Sequence, residues 1–221
     1  MSQTQAAHQT NQGFYDRISH AYDSIADANE HVARQAGETL LAIQPGERVL
    51  EIGYGTGNSL IAFAHQVGPK GHVCGLDVSP GMREVTLKKV QQAGLADRID
   101  AKVGDAVALD WPNDWFDAAF MSFTLELFRD EDIHRVLQQL QRVLKPSGRL
   151  ASVSMATVAE GEKESLLEKT YQWSHRHFPH IVDCRPIDAV AAMKSAGFEI
   201  ERENRMSIWT MPVSVVLATN H

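Results

Sequence analysis

Three glycines at alternate positions follow an acid in Glu51-Ile52-Gly53-Tyr54-Gly55-Thr56-Gly57, directly after the apolar pair Val49 and Leu50. A second apolar run ends at Asp77, about twenty residues beyond Gly57. The chemistry this pairing suits is the binding of a nucleoside. Without a Cβ, Gly53, Gly55 and Gly57 let the chain turn tightly after a buried strand and bring backbone amides close to a ligand. An acid at the end of the next strand suits the two hydroxyls of a ribose.

The spacing also separates nucleoside ligands from one another. A dinucleotide fingerprint, G-x-G-x-x-G counted from Gly53, needs glycine where this chain has Asn58. No Gly-Lys-Ser/Thr follows, so the loop is not a phosphate-cradling P-loop. Without a diphosphate to hold, the loop suits an uncharged sugar joined to an amino-acid tail. A nicotinamide-dependent oxidoreductase and a non-catalytic cofactor-binding module remain the alternatives.

The elements that position these residues alternate between strand and helix. Strands are expected at Arg48–Ile52, His72–Asp77, Ile99–Val103, Phe116–Met121, Arg149–Met155, Phe198–Glu203 and Ser207–Ala218. Helices are expected at Asn58–Val67, at Pro80–Ala93 with Ser79 as its cap, and at a strongly amphipathic segment capped by Asp130 and ended by Pro146-Ser147-Gly148. Further helices are expected at 162–177 and 186–196, and residues 14–43 read as helical through Val32, Ala36, Leu40 and Leu41. This order predicts an α/β fold: a Rossmann-like, doubly wound, mostly parallel seven-stranded sheet with an N-terminal helical cap. Residues 1–12 read as a disordered tail, and 13–221 as one domain with 13–45 as the cap.

VLEIGYGTGNSL, GLDVSPGM, VGDAVALDWPNDWFDAAFMSFTLELF and RVLKPSGRLASVS occur in that order. Together they resemble the motifs of class I S-adenosylmethionine-dependent methyltransferases. FYDRISHAYDSIADAN resembles the N-terminal segment of the ubiquinone/menaquinone-biosynthesis C-methyltransferases within that class. The likeness weakens after residue 155. It implies S-adenosyl-L-methionine as cofactor, with the backbone of Gly53, Tyr54 and Gly55 around the methionine part and Gly57 in the same loop. It implies Glu51 at the loop or the cofactor ammonium, Asp77 at the ribose, and Asp105 and Ala106 at the adenine. Val78 and Met82 would form an apolar adenine wall, Met121 or Ser122 would offer a carbonyl to the ammonium, and Tyr22 would lie over the cofactor. Each has a plainer alternative: a helix cap for Glu51, a turn acid for Asp77 or Asp105, and core packing for Tyr22, Val78 and Met82.

The reaction implied is in-line methyl transfer governed by positioning, so a catalytic residue is optional. His175 and His177, in WSHRHFPHIVDC, are the candidates for a base, and the spacing of His175, His177, His180 and Cys184 matches no metal pattern. Phe14, Tyr15, Trp173, Phe178 and Trp209 could build an apolar acceptor site, which favours a small or lipophilic acceptor. With a formal charge of −7 and no basic run, no nucleic-acid partner is expected. A lipophilic acceptor is compatible with peripheral membrane contact, although no strongly amphipathic basic helix announces it. The polar N-terminus, the lack of a long apolar stretch and two cysteines without CxxC spacing, Cys74 and Cys184, set a cytoplasmic location as the default.

Overall fold

The computed structural model describes residues 27–157, 185–208 and 211–221. The expected tail 1–12, most of the N-terminal cap and the helix at 162–177 lie outside them. Among the described residues, helices α1 (Asp27–Leu41), α2 (Asn58–Val67), α3 (Pro80–Gln92), α4 (Asp130–Val143) and α5 (Ala189–Ser195) surround one sheet. Its strands are β1 (Arg48–Ile52), β2 (His72–Asp77), β3 (Ile99–Val103), β4 (Phe116–Ser122), β5 (Leu144–Met155), β6 (Glu199–Ile208) and β7 (Met211–Thr219). None of these helices is long and apolar enough to cross a membrane.

The spatial order is β3-β2-β1-β4-β5-β7-β6. Neighbours from β3 to β5 pair in parallel, and β7 runs antiparallel to both β5 and β6. Strand alternation sends successive side chains to opposite faces. Leu50 and Ile52 of β1 therefore join the core under α4 and α5, with Val136, Leu137, Leu140 and Met193. Val49 joins the opposite core, with Leu41 of α1, Phe63 of α2 and Val90 of α3. Glu51 shares the parity of Val49 and so points to the face that α1 and α2 cover.

The punctuation residues act as their chemistry requires. Ser79 Oγ accepts from the Met82 amide at 3.1 Å, with Pro80 at the first helical position of α3. Gly94 follows the helix at φ 68°. Several expected boundaries move. Arg129, not Asp130, occupies the N-cap of α4, and Asp130 enters its first turn with Glu131 and Asp132. Strand β5 starts at Leu144 and not at Arg149, because Pro146-Ser147-Gly148 bulges out between the pairs Phe116–Leu144 and Ala118–Arg149 without ending the strand. The Asn220 backbone closes that bulge, accepting from Ser147 N at 2.7 Å and donating to Gly148 O at 2.8 Å. Ser207 and Ile208 end β6 and do not begin β7, since β6 extends through Met206 in register with Val213.

Helix α1 seats Leu41 in the core, with Ala36 and Leu40 packed against it, but turns the expected Val32 outward. Val32 is 63% exposed, whereas Ala33, Gly37 and Leu41 are buried. A search for large apolar residues passes over Gly37, and Gly37 is where the helix approaches the sheet most closely. A Cβ there would lie 2.4 Å from Val153 Cγ2 and 2.9 Å from Phe120 Cε2. G37A should lower unfolding stability by about 1–2 kcal/mol, the overpacking exceeding the gain in helix propensity. Chemical denaturation measures this, and a stabilised variant would show that α1 does not seat on β4 and β5 through this residue.

Candidate functional site

Strand order reverses between β1 and β4, the place where open parallel sheets bind ligands beyond their carboxyl ends. The loop leaving β1 is built there by three neighbours. Gly53 N donates to Leu76 O at 2.7 Å, Gly55 N to Asp77 Oδ2 at 2.9 Å, and Thr86 Oγ1 of α3 to Gly55 O at 2.9 Å. Asp77 Oδ1 also accepts from Ser79 N at 2.9 Å. The carboxylate thus links the first loop, the end of β2 and the start of α3. These two bonds fix the orientation of the carboxylate.

Tyr54 is buried, and its hydroxyl donates to Lys102 O at 3.1 Å. Its ring lies over Gly75, where a Cβ would come within 2.6 Å of Tyr54 Cδ1. Burial, with the nearby Asp77 charge, holds the Tyr54 hydroxyl well above the usual phenol range. Tyr54 is therefore a neutral side chain that supports the loop from within.

One cavity opens at this edge. Leu76, Val78, Met82, Gly104 and Ala106 give it an apolar side, while Glu30, Arg34, Glu51, Asn58 and Ser59 give it a polar one. Ser122, Phe123, Thr124, Leu127 and Phe128, after β4, form its remaining wall. The polar side is connected: Ser59 Oγ donates to Glu38 Oε1 at 2.7 Å, and Arg34 Nε lies 3.6 Å from the same oxygen. Glu51 is 3% exposed, and its Oε2 has no hydrogen-bond partner among the described residues. Burial raises the Glu51 carboxyl well above the usual carboxylate range, the charges of Glu38 and Asp77 add to the rise, and Arg34 and Ser59 oppose it. A buried acid beside a cavity with one oxygen unmatched is suited to a cationic, hydrogen-bonding ligand group.

The structure gathers Glu51, Gly53, Tyr54, Gly55, Asp77, Val78, Met82, Ala106 and Ser122 around this single cavity. Gly57 stands outside the lining and caps α2 at φ 79°, with Thr86 Cγ2 2.6 Å from any Cβ. Asp105 does not line the cavity. Its Oδ1 accepts from Val107 N at 3.1 Å, the turn-forming role. Met121 is fully buried in the core, leaving Ser122 as the residue at the wall. Tyr22, His175 and His177 lie outside the described residues, as do His180, Cys184, Phe14, Tyr15, Trp173, Phe178 and Trp209; Cys74 is buried in β2.

Several site residues escape a reading of the sequence. Arg34 and Glu38, four apart, look like an ordinary surface pair on a helix. Only the docking of α1 on the sheet turns them toward the cavity. Thr124, Leu127 and Phe128 lie beyond the strand expected at Phe116–Met121, in a stretch given no element of its own. The signal that something else happens there is Glu126, an acid inside the apolar run Phe123-Thr124-Leu125-Glu126-Leu127-Phe128.

The chain is similar to known proteins to different depths. Residues 49–148 match the model of a methyltransferase domain. The 2-phytyl-1,4-naphtoquinone methyltransferase of Synechococcus elongatus is 36% identical over 148 residues, 65% of this chain and 63% of that protein. The demethylmenaquinone methyltransferase of Listeria welshimeri is 36% identical over 143 residues, 63% of this chain and 59% of that protein. The chain thus spans less than two thirds of the length of these relatives. Among solved structures, the 4+2 cyclase SpnF superposes with a TM-score of 0.76 at 18% identity, covering 95% of this chain and 94% of that one. A SAM-dependent methyltransferase from Aquifex aeolicus superposes with a TM-score of 0.69 at 20% identity, covering 93% and 98%. At such identities these two structures show the fold.

The loop glycines differ in what they exclude. A Cβ on Gly53, at φ 71°, would lie 2.3 Å from Thr124 Oγ1, whereas one on Gly55, at φ 52°, meets nothing within 4 Å among the described residues. G53A should cost about 2–4 kcal/mol in unfolding through strain and clash together, and G55A about 1–2 kcal/mol through backbone strain alone. T124A should return part of the G53A loss. Equal costs in denaturant titrations would place the β1 loop differently against the β4 turn.

Proposed function

We propose that this chain, which belongs with the class I S-adenosylmethionine-dependent methyltransferases near their quinone-biosynthesis group, transfers a methyl group from S-adenosylmethionine to a small lipophilic acceptor. The observation that carries the proposal is the Asp77 carboxylate, fixed by Gly55 N and Ser79 N at the mouth of a cavity with an apolar side and a buried acid. The residues fit the cofactor's three parts. Asp77 accepts from the ribose hydroxyls, Val78, Met82 and Ala106 enclose the adenine, and Glu51 and Arg34 meet the ammonium and carboxylate of the amino-acid tail. The open space beside Gly55 admits the ligand next to the backbone.

S-adenosylmethionine supplies the activated methyl group on its sulfonium. The protein then has to hold the acceptor in line and keep water out, and positioning of this kind can provide much of a rate enhancement. Phe123, Leu127 and Phe128 make the wall after β4 apolar, which suits a lipophilic acceptor. The names of the Synechococcus and Listeria relatives point the same way, toward a quinone-type ring. A nicotinamide dinucleotide fits poorly, because Asn58 replaces the fingerprint glycine and the buried Glu51 carboxyl faces the cavity where negative charge would be unwelcome.

Transfer of labelled methyl from S-adenosylmethionine to reduced 2-phytyl-1,4-naphthoquinone tests the activity. Labelled product is expected, and a protein that binds NAD but not S-adenosylhomocysteine would refute the proposal. D77A should weaken S-adenosylhomocysteine binding by about 1–3 kcal/mol in calorimetry. Unchanged affinity in a folded D77A variant would remove Asp77 from the ribose site.

Glu51 adds a pH signature. Its raised pKa keeps part of the free protein protonated above the usual carboxylate range, and an ammonium placed beside it favours the ionised form. Binding should therefore release a proton in the window between the usual carboxylate pKa and the raised one. Calorimetry of S-adenosylhomocysteine binding in buffers of different ionisation enthalpy measures the release. E51Q should lack it, and equal proton release by both proteins would place the ammonium elsewhere.

A further inference from the structure

The cofactor reading leaves the buried acid Glu126 without a role. Glu126 sits in a single 3-10 turn, Leu125–Leu127, just beyond β4, and is 1% exposed. Its Oε1 accepts from Met155 N, at the end of β5, at 2.9 Å, and its Oε2 is buried without a hydrogen-bond partner among the described residues. An acid this deeply buried is costly to keep unless the contact it makes is useful.

The contact joins two strand ends to the cavity. Residues on either side of Glu126, namely Ser122, Phe123, Thr124 and Leu127, line it. Phe123 N donates to Val153 O at 2.7 Å, so the turn is held to β5 at two points, and Glu126 supplies the outer one. Thr124 is buried, and its Oγ1 donates to Ser122 O at 2.9 Å. That same oxygen occupies the space a Cβ on Gly53 would take. The turn therefore packs directly on the cofactor loop.

We propose that Glu126 is a positioning residue of the cofactor site: its carboxyl clamps the Ser122–Phe128 turn to the end of β5 and so presses Thr124 against the loop at Gly53. The proposal rests on the cofactor reading above and gives this turn its place in it. Glu126 touches no reacting atom, and it acts through Thr124 and the Met155 amide.

The clamp works with the acid neutral. Burial, the largest cause, pushes the Glu126 carboxyl up to about 8, against which the Met155 amide and the residue's own backbone pull down. Glu30, on α1, is the charged side chain among the described residues that adds to the rise. Ionised, the carboxylate would be a buried charge with one unmatched oxygen. Moving the turn toward water relieves that cost and takes Thr124 off the loop. The sign is that of an acid whose folded pKa is raised. The stability it contributes is complete below the unfolded carboxyl range and is lost as pH rises through about 8.

The test compares wild type, E126Q and E126L by S-adenosylhomocysteine titration and by hydrogen exchange of the Met155 amide, at about pH 6.5 and about pH 9. Glutamine keeps an acceptor oxygen for Met155 N and cannot ionise. At the lower pH, E126Q should bind within about threefold of wild type, and at the higher pH wild type should bind about tenfold more weakly than E126Q. E126L, which removes the acceptor, should bind about tenfold more weakly than wild type at the lower pH and lose protection at Met155. Parallel pH profiles for wild type and E126Q overturn the proposal, as does wild-type affinity in a folded E126L with an unprotected amide. If E126L does not fold, the wild-type and E126Q profiles decide. If wild type binds S-adenosylhomocysteine at neither pH, the cofactor reading fails, and the clamp is judged on the Met155 amide alone: protection lost at the higher pH in wild type but kept in E126Q upholds it, and equal protection refutes it.

Discussion

The Asp77 carboxylate accepts one backbone N–H from the loop after β1 and another from the start of α3. Everything else at the carboxyl edge is arranged around that pair of bonds. They lock the end of β2 to the first loop, so that Gly55 presents its backbone to the cavity and Ser79 is set to cap α3. Charge-assisted bonds to backbone amides are among the stronger hydrogen bonds available, and holding the acid this way spares a ligand from having to order it. Thr86 fastens the same loop from the far side through Gly55 O, and Thr124 closes on it at Gly53. The loop is therefore clasped by α3 and by the β4 turn before any ligand arrives.

Glu51 and Glu126 are buried acids outside that clasp, and their surroundings differ. Glu51 faces a polar group made of Arg34, Glu38 and Ser59, and the cavity lies beside it. Its raised pKa follows from burial first and from the nearby charges of Glu38 and Asp77 second. Glu126 is enclosed by its own turn and the β5 end, and its carboxyl is held by a main-chain amide. One acid is suited to recognition and the other to support. The distinction follows from what each faces, since burial is the leading cause of the shift in both.

Much of this was legible in the chain. The limits of β1, β2, β3 and α2 are those expected, because each is bounded by glycine, proline or a charged residue at the end of an apolar run. Nine of the expected site residues line one cavity, since motif spacing fixes where a strand ends and strand ends fix the cavity. What could not be read depends on contacts distant in sequence. The buried face of α1 is organised by Gly37, which carries no hydrophobic signal of its own. The β5 bulge is held by Asn220, far along the chain. The β6–β7 boundary falls inside one continuous run of strand-forming residues, where local pattern offers no break.

The fold by itself does not settle the chemistry, as the superposition on a 4+2 cyclase illustrates. The methyl-transfer account rests on the site and on the match over residues 49–148. A crystal structure with S-adenosylhomocysteine tests it most directly. The account predicts the ribose hydroxyls on Asp77, the adenine between Met82 and Ala106, and the homocysteine tail at Glu51 and Arg34. A ligand bound away from Asp77, or turned so that the adenine meets Glu51, would contradict it.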